Sequence, residues 1–594
     1  MLAREDKNLL VENLKSKVFD IRSSIVNEIE SLAEEEKNIS NLYKKSYSAQ
    51  QDTIMQQWLY VKKRIEQLTY LKQAPFFAKV VYSDGDKINE VYISKFGYSG
   101  EGVSSWVAPV AELRFEEIGE CEITIPDKKV KKVDLNQKDT YVISEEKIVY
   151  YSQEDKSDGV QIVYEDFLSN IKSEFGLSEI VSKIEKEQYK IIQSDPKVEL
   201  IISGPAGSGK TTICLHRVAY LLQTPETSDV YAGRNMIMFV QDKSTKDYFS
   251  SILPKLGIPN MAVTTYFEWG ALLVELEDVE EISLSTIDET YVEYLEEKVL
   301  ILEKGKVKFK KYGKVFEEEL DALYKKHLKE KHYAIFSENK RRRKYDYLDI
   351  TIMLSMMIFE GELYKEDEFH KSLGNGKYKK YIRKIKTEYG MVIVDEFQNY
   401  SHDQISLIKK CINKGNKSIV YIGDINQKSL LKPETKNDSD HFAFAKKVEL
   451  NKVYRNTKQI LEFIKNEGYR VEIPENPKTG EDVKKYSVRD RSDLVSKIQE
   501  FVSNRKENET MGILCDGDEM KHIIQPFVQE DGKIKVMTKL ESQGTEFNSV
   551  VCINEIDKNI KHSERFIKIM ESINRNSDYI GYTRAVERLE VLLV

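Results

Sequence analysis

The sequence predicts an α/β protein with parallel sheets, preceded by a helical N-terminal arm and a small β-rich module. Three observations predict it. After VELIISG (198–204), the apolar runs MIMFV (236–240), MVIVDE (391–396), SIVYIGD (418–424), MGILCD (511–516), SVVCIN (549–554) and LEVLLV (589–594) alternate with helical patterns, as strands of a sheet covered on both faces do. Residues 1–74 hold neither Gly nor Pro, the first of either being Pro75, so nothing interrupts a helix there. Residues 76–164 break into short runs, FFAKVVYS, NEVYISKF, CEITI, TYVIS and KIVYY, with turn formers such as Ser83-Asp84-Gly85 and Ser157-Asp158-Gly159 between them, the texture of a β-rich module.

Within the arm, Val11, Val18, Ile25, Leu32 and Ile39 fall seven apart, with Leu14, Ile21 and Leu42 in the complementary seam and Glu28 and Glu35 interrupting it. This is a heptad pattern with polar defects. A second stripe, Ile54, Trp58, Val61, Ile65 and Leu68, continues at spacings of four and three. The two can fold back as an antiparallel hairpin, bending at Glu34-Glu35-Glu36 or near Ser46–Gln51, or can form a dimer seam. The hairpin is favoured because it lets each stripe bury the other within one chain. A helical stretch (166–194) precedes the first parallel strand.

At 594 residues the chain exceeds one hydrophobic core. Charged residues at 32% and a hydrophobic share of 40% describe a globular protein with a solvated surface. The net charge of −8 leaves any attraction to phosphate backbones to local basic patches. Five scattered cysteines argue against a disulfide framework or a cysteine zinc site and are expected as buried thiols. The N-terminus, MLAREDKNLL, lacks a basic segment followed by an apolar run, and no membrane span is expected, so the expected location is cytoplasmic.

Gly204–Thr211 reads GPAGSGKT between strand-like VELIIS and helix-like TTICLHRVAYLL, the context a phosphate loop requires. The loop Gly204, Pro205, Ala206, Gly207, Ser208, Gly209 and the first helical residues through Thr212 would curl around phosphate oxygens, every residue but Pro205 offering a backbone N–H. Lys210 supplies a point charge, and Thr211 offers a hydroxyl to Mg²⁺. MVIVDEF ends an apolar strand in Asp395-Glu396, putting two carboxylates at the same sheet edge. Asp395 is expected to hold the metal's outer shell and Glu396 to accept a proton from the attacking water.

DEFQ (395–398), GDINQ (423–427), VYRNT (453–457), ESQGTEF (541–547) and GYTRA (581–585) follow in order. With the phosphate loop, the set resembles the motor core of superfamily 1 helicases of the UvrD/Rep branch, over roughly 184–594. The resemblance implies two RecA-like domains with ATP in the cleft between them. It also implies roles: Gln188 reads adenine, Gln398 and Gln427 sense the γ-phosphate, Arg455 and Arg584 reach across the cleft to it, and Glu546 touches the ribose or phosphates. Gln543 replaces the lysine usual before that motif's glycine. A cation lent by the opposite domain would tie hydrolysis to cleft closure, because phosphoryl transfer spreads negative charge over the equatorial oxygens.

Further stretches, SGPAGSGKTTICLHRVAYLL, MFVQDKSTKDYFSSILPKLGIPNMAVTTYFEW (238–269) and SSWVAPVAEL (104–113), resemble the HelD family of RNA polymerase-recycling ATPases over nearly the whole chain. In that family a helical arm enters the polymerase secondary channel and an insertion in the first RecA-like domain pries at the main channel. The implied partition is an arm (1–75), a β-rich module (76–165), a first RecA-like domain (166–440) with a helical insertion (about 275–385), and a second (441–594). SWVAP departs from the usual DWRAP, and the chain is shorter than typical members.

Roughly 80 positions separate Thr457 from Met537, too few for a further accessory domain there. Gln427 is followed by Lys428-Ser429-Leu430-Leu431 with no ring until His441, so the aromatic stacking of a strand-tracking helicase is expected to be weak. Lys340-Arg341-Arg342-Arg343-Lys344, beside Tyr345 and Tyr347, can hold a nucleic-acid backbone or a partner, or form a solvated helix face. Thr265 and Tyr266 stand where the superfamily contacts its strand, or in the core. The expected function is a monomeric Mg²⁺-ATP motor remodelling nucleoprotein complexes, with RNA polymerase as partner through the arm and insertion. DNA or RNA is a further candidate partner. A 3′-to-5′ DNA translocase or helicase in repair or phage defence, and a nucleotide-regulated binding switch, compete with that reading.

Overall fold

The computed structural model describes residues 4–594 apart from 46–47, 126–128, 145–146, 157–158, 166–185, 206–207, 229, 255, 257, 259, 283–287, 308–315, 375–376, 414, 416–417, 425–441, 443–444, 451–455, 470, 474–476, 507–508, 529–531, 543–544 and 556–563. It divides into two compact units, Met1–Gln193 and Ser194–Val594.

The first unit opens with the helices Arg4–Lys45 and Ser48–Gln73. They run antiparallel against one another: Glu36 accepts from Trp58 Nε1 at 3.0 Å, Glu28 from Arg64 Nε at 3.0 Å, and the Lys72 carbonyl from Arg22 Nε at 2.6 Å. Positions fall along one helix as they rise along the other, the arrangement expected of a hairpin. The chain reverses between the two helices, beyond the acidic run, because an uncapped Glu triplet costs a helix little. Val11, Leu14, Val18, Ile21 and Ile25, with Leu68 and Leu71, share one core with Phe76, Tyr92, Tyr141 and Tyr151 of the β-rich module. Arm and module are therefore built around common apolar residues, while Leu42 of the expected seam is 59% exposed.

The module is a seven-stranded sheet. Val103–Ser105, Lys87–Ser94, Ala78–Asp84, Lys129–Ser144, Lys147–Asp155 and Gly159–Glu165 lie side by side, with Gly119–Ile125 also paired to Lys129–Ser144. All its pairs are antiparallel except that of Val103–Ser105 with Lys87–Ser94. The short helix Lys186–Gln193 packs here: Tyr189 OH donates to the Trp106 carbonyl at 3.1 Å, and Gln193 Nε2 to Glu112 at 2.6 Å.

The second unit holds two parallel sheets. One runs Ala262–Thr265, Met236–Val240, Met391–Val394, Ser418–Gly423, Leu200–Ser203, Lys446–Glu449, every neighbour parallel. The other runs Lys484–Ser487, Ala585–Leu593, Phe547–Asn554, Met511–Cys515, Ile534–Thr538, again all parallel. The central strands are buried at every position of MIMFV, MVIV and SIVYIG, as continuous apolar runs require.

Between Thr265 and Met391 the helices Glu289–Glu303, Phe316–His327, Glu330–Arg341 and Tyr347–Met356 share the first sheet's core through Tyr294, Leu320, Tyr324, Phe336 and Ile350. The expected insertion is helical up to Met356. Beyond it the chain forms an antiparallel hairpin, Glu362–Gly374 with Lys377–Lys386, although Tyr378, Tyr381, Ile382 and Ile385 fall at helical spacing; Asn375-Gly376 is the sequence pair that two-residue hairpin loops favour. All five cysteines are free; four are buried and Cys121 is half-exposed. Among the described residues no helix is long and apolar enough to cross a membrane.

Candidate nucleotide site

Parallel strands end at one edge, and three of them deliver the site. Ser203 ends the strand carrying the glycine-rich loop, Val394 is followed by Asp395, and Gly423 by Asp424. The register places Gly423 beside Ser203, and Gly204 N donates to the Gly423 carbonyl at 3.3 Å. Gly204 has φ +154°, and a Cβ there would stand 2.2 Å from the Leu450 carbonyl oxygen; no other residue fits. Pro205 and Ser208 are buried, and Ser208 Oγ has no hydrogen-bond partner among the described residues. Gly209, at φ +84°, turns the chain into the helix Lys210–Gln223. Ala206 and Gly207 lie outside the described residues.

Lys210 is buried, and its Nζ donates to the carbonyls of Gly204 at 2.8 Å and Pro205 at 2.9 Å. Burial lowers its pKa against the charges of Glu396, Asp424 and Asp395, which raise it, while Arg584 lowers it further. Thr211 and Thr212 are half-buried in the first helical turn.

Asp395 is buried, its N–H donating to the Phe239 carbonyl at 2.9 Å and its Oδ1 accepting from the N–H of Glu396 at 3.1 Å. Burial pushes its carboxyl well above the carboxylate range, Glu396 adds to this, and Lys210 opposes it. Glu396 adopts φ +48°, a left-handed conformation uncommon for a residue with a Cβ. Gln398 holds it: Nε2 donates to Glu396 Oε2 at 2.7 Å, while Oε1 accepts from Asp424 N at 3.2 Å. One buried amide thus ties the Asp-Glu turn to the Gly423-Asp424 turn. Asp424, buried and electrostatically coupled to Lys210, was given no role by the sequence reading; its position directly after an apolar strand was the available signal.

From the second sheet comes Arg584, at the turn between Glu564–Thr583 and Ala585–Leu593. It is buried, with Nε donating to the Ile580 carbonyl at 3.1 Å and Nη2 to Thr583 Oγ1 at 3.2 Å. Asn456 Nδ2 donates to the Ala585 carbonyl at 2.6 Å and the Thr583 carbonyl at 3.3 Å, fixing the backbone on both sides of the arginine. That positioning role was missed, since an Asn beside an Arg of interest carries no pattern of its own. Gln427 and Arg455 lie outside the described residues. Glu546 is exposed just before Phe547–Asn554, and Gln188 lies on Lys186–Gln193 in the first unit.

The residues expected to contact nucleic acid or a partner are engaged internally. Thr265 Oγ1 accepts from Glu268 N at 3.1 Å, capping the helix Tyr266–Leu273. Tyr266 is buried with its hydroxyl 3.0 Å from Thr351 Oγ1, a core tyrosine. Each cation of the 340–344 run meets a carboxylate: Lys340 with Asp321 at 3.7 Å, Arg341 and Arg342 with Glu338 at 2.7 Å, Arg343 with Glu317 at 2.8 Å and Lys344 with Glu280 at 3.0 Å. The run read from sequence as a nucleic-acid or partner contact or a solvated helix face is paired with carboxylates, Glu338 one turn back on the same helix and Asp321, Glu317 and Glu280 from elsewhere in the chain.

Residues 184–428 match the UvrD/REP helicase N-terminal domain. A curated protein of Mycoplasma capricolum subsp. capricolum, named "Probable DNA helicase II homolog", is 25% identical over 338 residues, 51% of this chain and 44% of that protein. The chain thus spans less than half the length of this curated relative. Similar solved structures include an arterivirus nonstructural protein 10 (helicase), at 12% identity, TM-score 0.27, covering 81% of this chain and 78% of that one. Another is the C-terminal domain of a possible DNA helicase from Lactobacillus plantarum WCFS1, at 18% identity, TM-score 0.18, covering 24% and 87%. The sequence matches support a UvrD-like helicase of superfamily 1.

Proposed function

We propose that this chain is a monomeric Mg²⁺-ATP-hydrolysing motor of the UvrD-like type that remodels a nucleoprotein complex, with RNA polymerase as its target. The observation that carries the ATPase reading is the convergence of Lys210, Asp395, Glu396, Gln398 and Asp424 at one sheet edge, with the charge of Arg584 acting on Lys210. The residues suit a magnesium nucleotide. Lys210 donates to carbonyls of its own loop, Ser208 Oγ is buried without a hydrogen-bond partner among the described residues, and three carboxyl groups favour a cation.

Bound Mg²⁺-ATP supplies a phosphoryl group and an in-line leaving oxygen. Lys210 would exchange its loop carbonyls for the terminal phosphates, while Thr211 would offer its hydroxyl to the metal and Asp395 would hold the metal's outer shell. Glu396 would take the proton of the attacking water, and Gln398, bonded to both Glu396 and the Asp424 turn, would couple the two. Arg584 and Arg455 lend positive charge, which counts most in the transition state. Gln427, Gln188 and Glu546 complete the expected nucleotide contacts. Lys210→Ala should abolish turnover. Arg584→Ala should leave nucleotide binding within about twofold while cutting hydrolysis by at least about a hundredfold; equal loss of both, read by nucleotide titration and phosphate release, contradicts the role.

The polymerase target is supported by the HelD-like stretches and by the paired helices Arg4–Lys45 and Ser48–Gln73. A tagged chain should bring down RNA polymerase, and a chain lacking residues 1–74 should not. A second reading, an ATP-dependent DNA translocase or helicase, draws support from the curated relative's printed name. Strong stimulation of turnover by single-stranded DNA, with no polymerase captured, would select it.

A further inference from the structure

The carboxyl edge of the second sheet is charged too. Met511–Cys515 is followed by Asp516 and Ile534–Thr538 by Lys539, while Asn554 ends Phe547–Asn554. Cys515 pairs with Thr538, so the acid and the lysine emerge from adjacent strands. Lys539 is fully buried, and its three ammonium hydrogens match three acceptors: Asp516 Oδ1 at 2.5 Å, Asn554 Oδ1 at 3.0 Å and Asp578 Oδ1 at 2.5 Å. Asp578 belongs to the helix Glu564–Thr583, which leads into Arg584. A buried ion pair is a weak source of stability, because desolvation offsets most of the attraction. Three directional bonds from one ammonium to two strand ends and a helix supply placement instead.

Two paths lead from this lysine to the Arg584 guanidinium. The first runs through the helix end. Asn554, held by Lys539, donates from Nδ2 to Tyr582 OH at 2.7 Å, and a Cβ at Gly581 would stand 3.3 Å from Lys539 Cγ, so the last turn lies against the lysine stem. That turn provides the Ile580 carbonyl and the Thr583 hydroxyl that accept from Arg584. The second path runs through the turn after the strand. The Lys539 carbonyl accepts from Ser542 Oγ at 2.6 Å, the Ser542 carbonyl from Thr545 N at 3.0 Å, and the Thr545 carbonyl from Arg584 Nη1 at 3.4 Å. The guanidinium is gripped from two sides, and both grips are rooted in Lys539. A cation that acts on a transition state needs such placement, since an error of about 1 Å can cost about a hundredfold in rate.

We propose that Lys539 is a positioning residue for Arg584: it sets where the guanidinium stands by pinning the helix end and the 539–545 turn to the sheet edge. Its role rests on the one given to Arg584 above. The test is Asp578→Ala in the full chain, which frees the helix from the ammonium while Asp516 still neutralises Lys539. Phosphate release gives kcat, nucleotide titration gives affinity, and urea denaturation shows that the variant is folded. The kcat should fall at least about tenfold, with affinity within about twofold. Asp578→Asn, which keeps an oxygen for the ammonium, should hold kcat within about threefold of the unmodified chain. In Asp578→Ala combined with Arg584→Ala, kcat should be no lower than in Arg584→Ala alone, because the tie has nothing left to position. A merely structural tie would instead multiply the two losses. Multiplied losses, equal falls in kcat and affinity, a loss in Asp578→Asn as large as in Asp578→Ala, or a kcat that Asp578→Ala leaves unchanged would each overturn the role of Lys539. So long as Arg584→Ala alone still cuts hydrolysis, those outcomes leave the ATPase reading standing. Should Arg584→Ala leave hydrolysis intact, the role of Arg584 fails and that of Lys539 with it.

Discussion

Gly204 is required for two separate reasons: its φ of +154° and the Leu450 carbonyl that a side chain would strike. Gly204→Ala should therefore displace the phosphate loop, weaken nucleotide binding by at least about tenfold and destabilise the fold by about 1–3 kcal/mol; nucleotide titration and urea denaturation measure both. At this scale the sequence was most informative where chemistry narrows the choice of residue. A Lys after Gly209 and an Asp-Glu after an apolar strand can be read because few other side chains serve those ends. Asn456 could not be read, since its work is to grip the Thr583 and Ala585 carbonyls, and a polar side chain satisfying backbone looks like any other. The 340–344 run was legible only in part: Glu338, one turn back, pairs with Arg341 and Arg342, whereas Asp321, Glu317 and Glu280 reach the other three cations from elsewhere in the chain.

Among the elements, the helices between the first sheet's strands are held by a buried ionic cluster. Lys298 on Glu289–Glu303 is fully buried and meets Asp346 and Asp349 at 2.6 Å each, with Tyr324 OH on Asp349 at 2.7 Å and Tyr291 OH on Asp346 at 3.0 Å. Removing one partner leaves uncompensated buried charge, so Lys298→Met should cost about 3–5 kcal/mol, read as a lower urea midpoint for the full chain. Strands announced by unbroken apolar runs, such as MIMFV and MVIV, were legible to within a residue or two. The edge strands Lys446–Glu449 and Lys484–Ser487 were not, because a strand with one neighbour and two exposed lysines shows no apolar run. The hairpin at 362–386 was not legible as strands, because its neighbours are helical and Tyr378, Tyr381, Ile382 and Ile385 fall at helical spacing.

Over the whole molecule, the order arm, β-rich module and two parallel sheets was legible. The shared core of the first two was not: stripes in the arm predict burial without naming the surface that buries them, and Phe76, Tyr92 and Tyr141 turn out to supply it. The antiparallel helix pair implies one chain per hairpin. Cysteines introduced at Glu28 and Arg64, which hydrogen-bond at 3.0 Å, should be joined by a short bis-maleimide within a single chain; a covalent dimer on a denaturing gel would instead mean a seam between chains.

The strand Lys446–Glu449 pairs with Leu200–Ser203 in parallel, Glu449 level with Ser203, and Leu450 N donates to the Ser203 carbonyl at 2.8 Å. This strand is also the last of the first sheet before the polypeptide passes to the second. Mechanically it is a tether. Tension along it would load its ladder bonds together instead of one by one, and the end nearest the second sheet is bonded to Ser203, the residue before the phosphate loop.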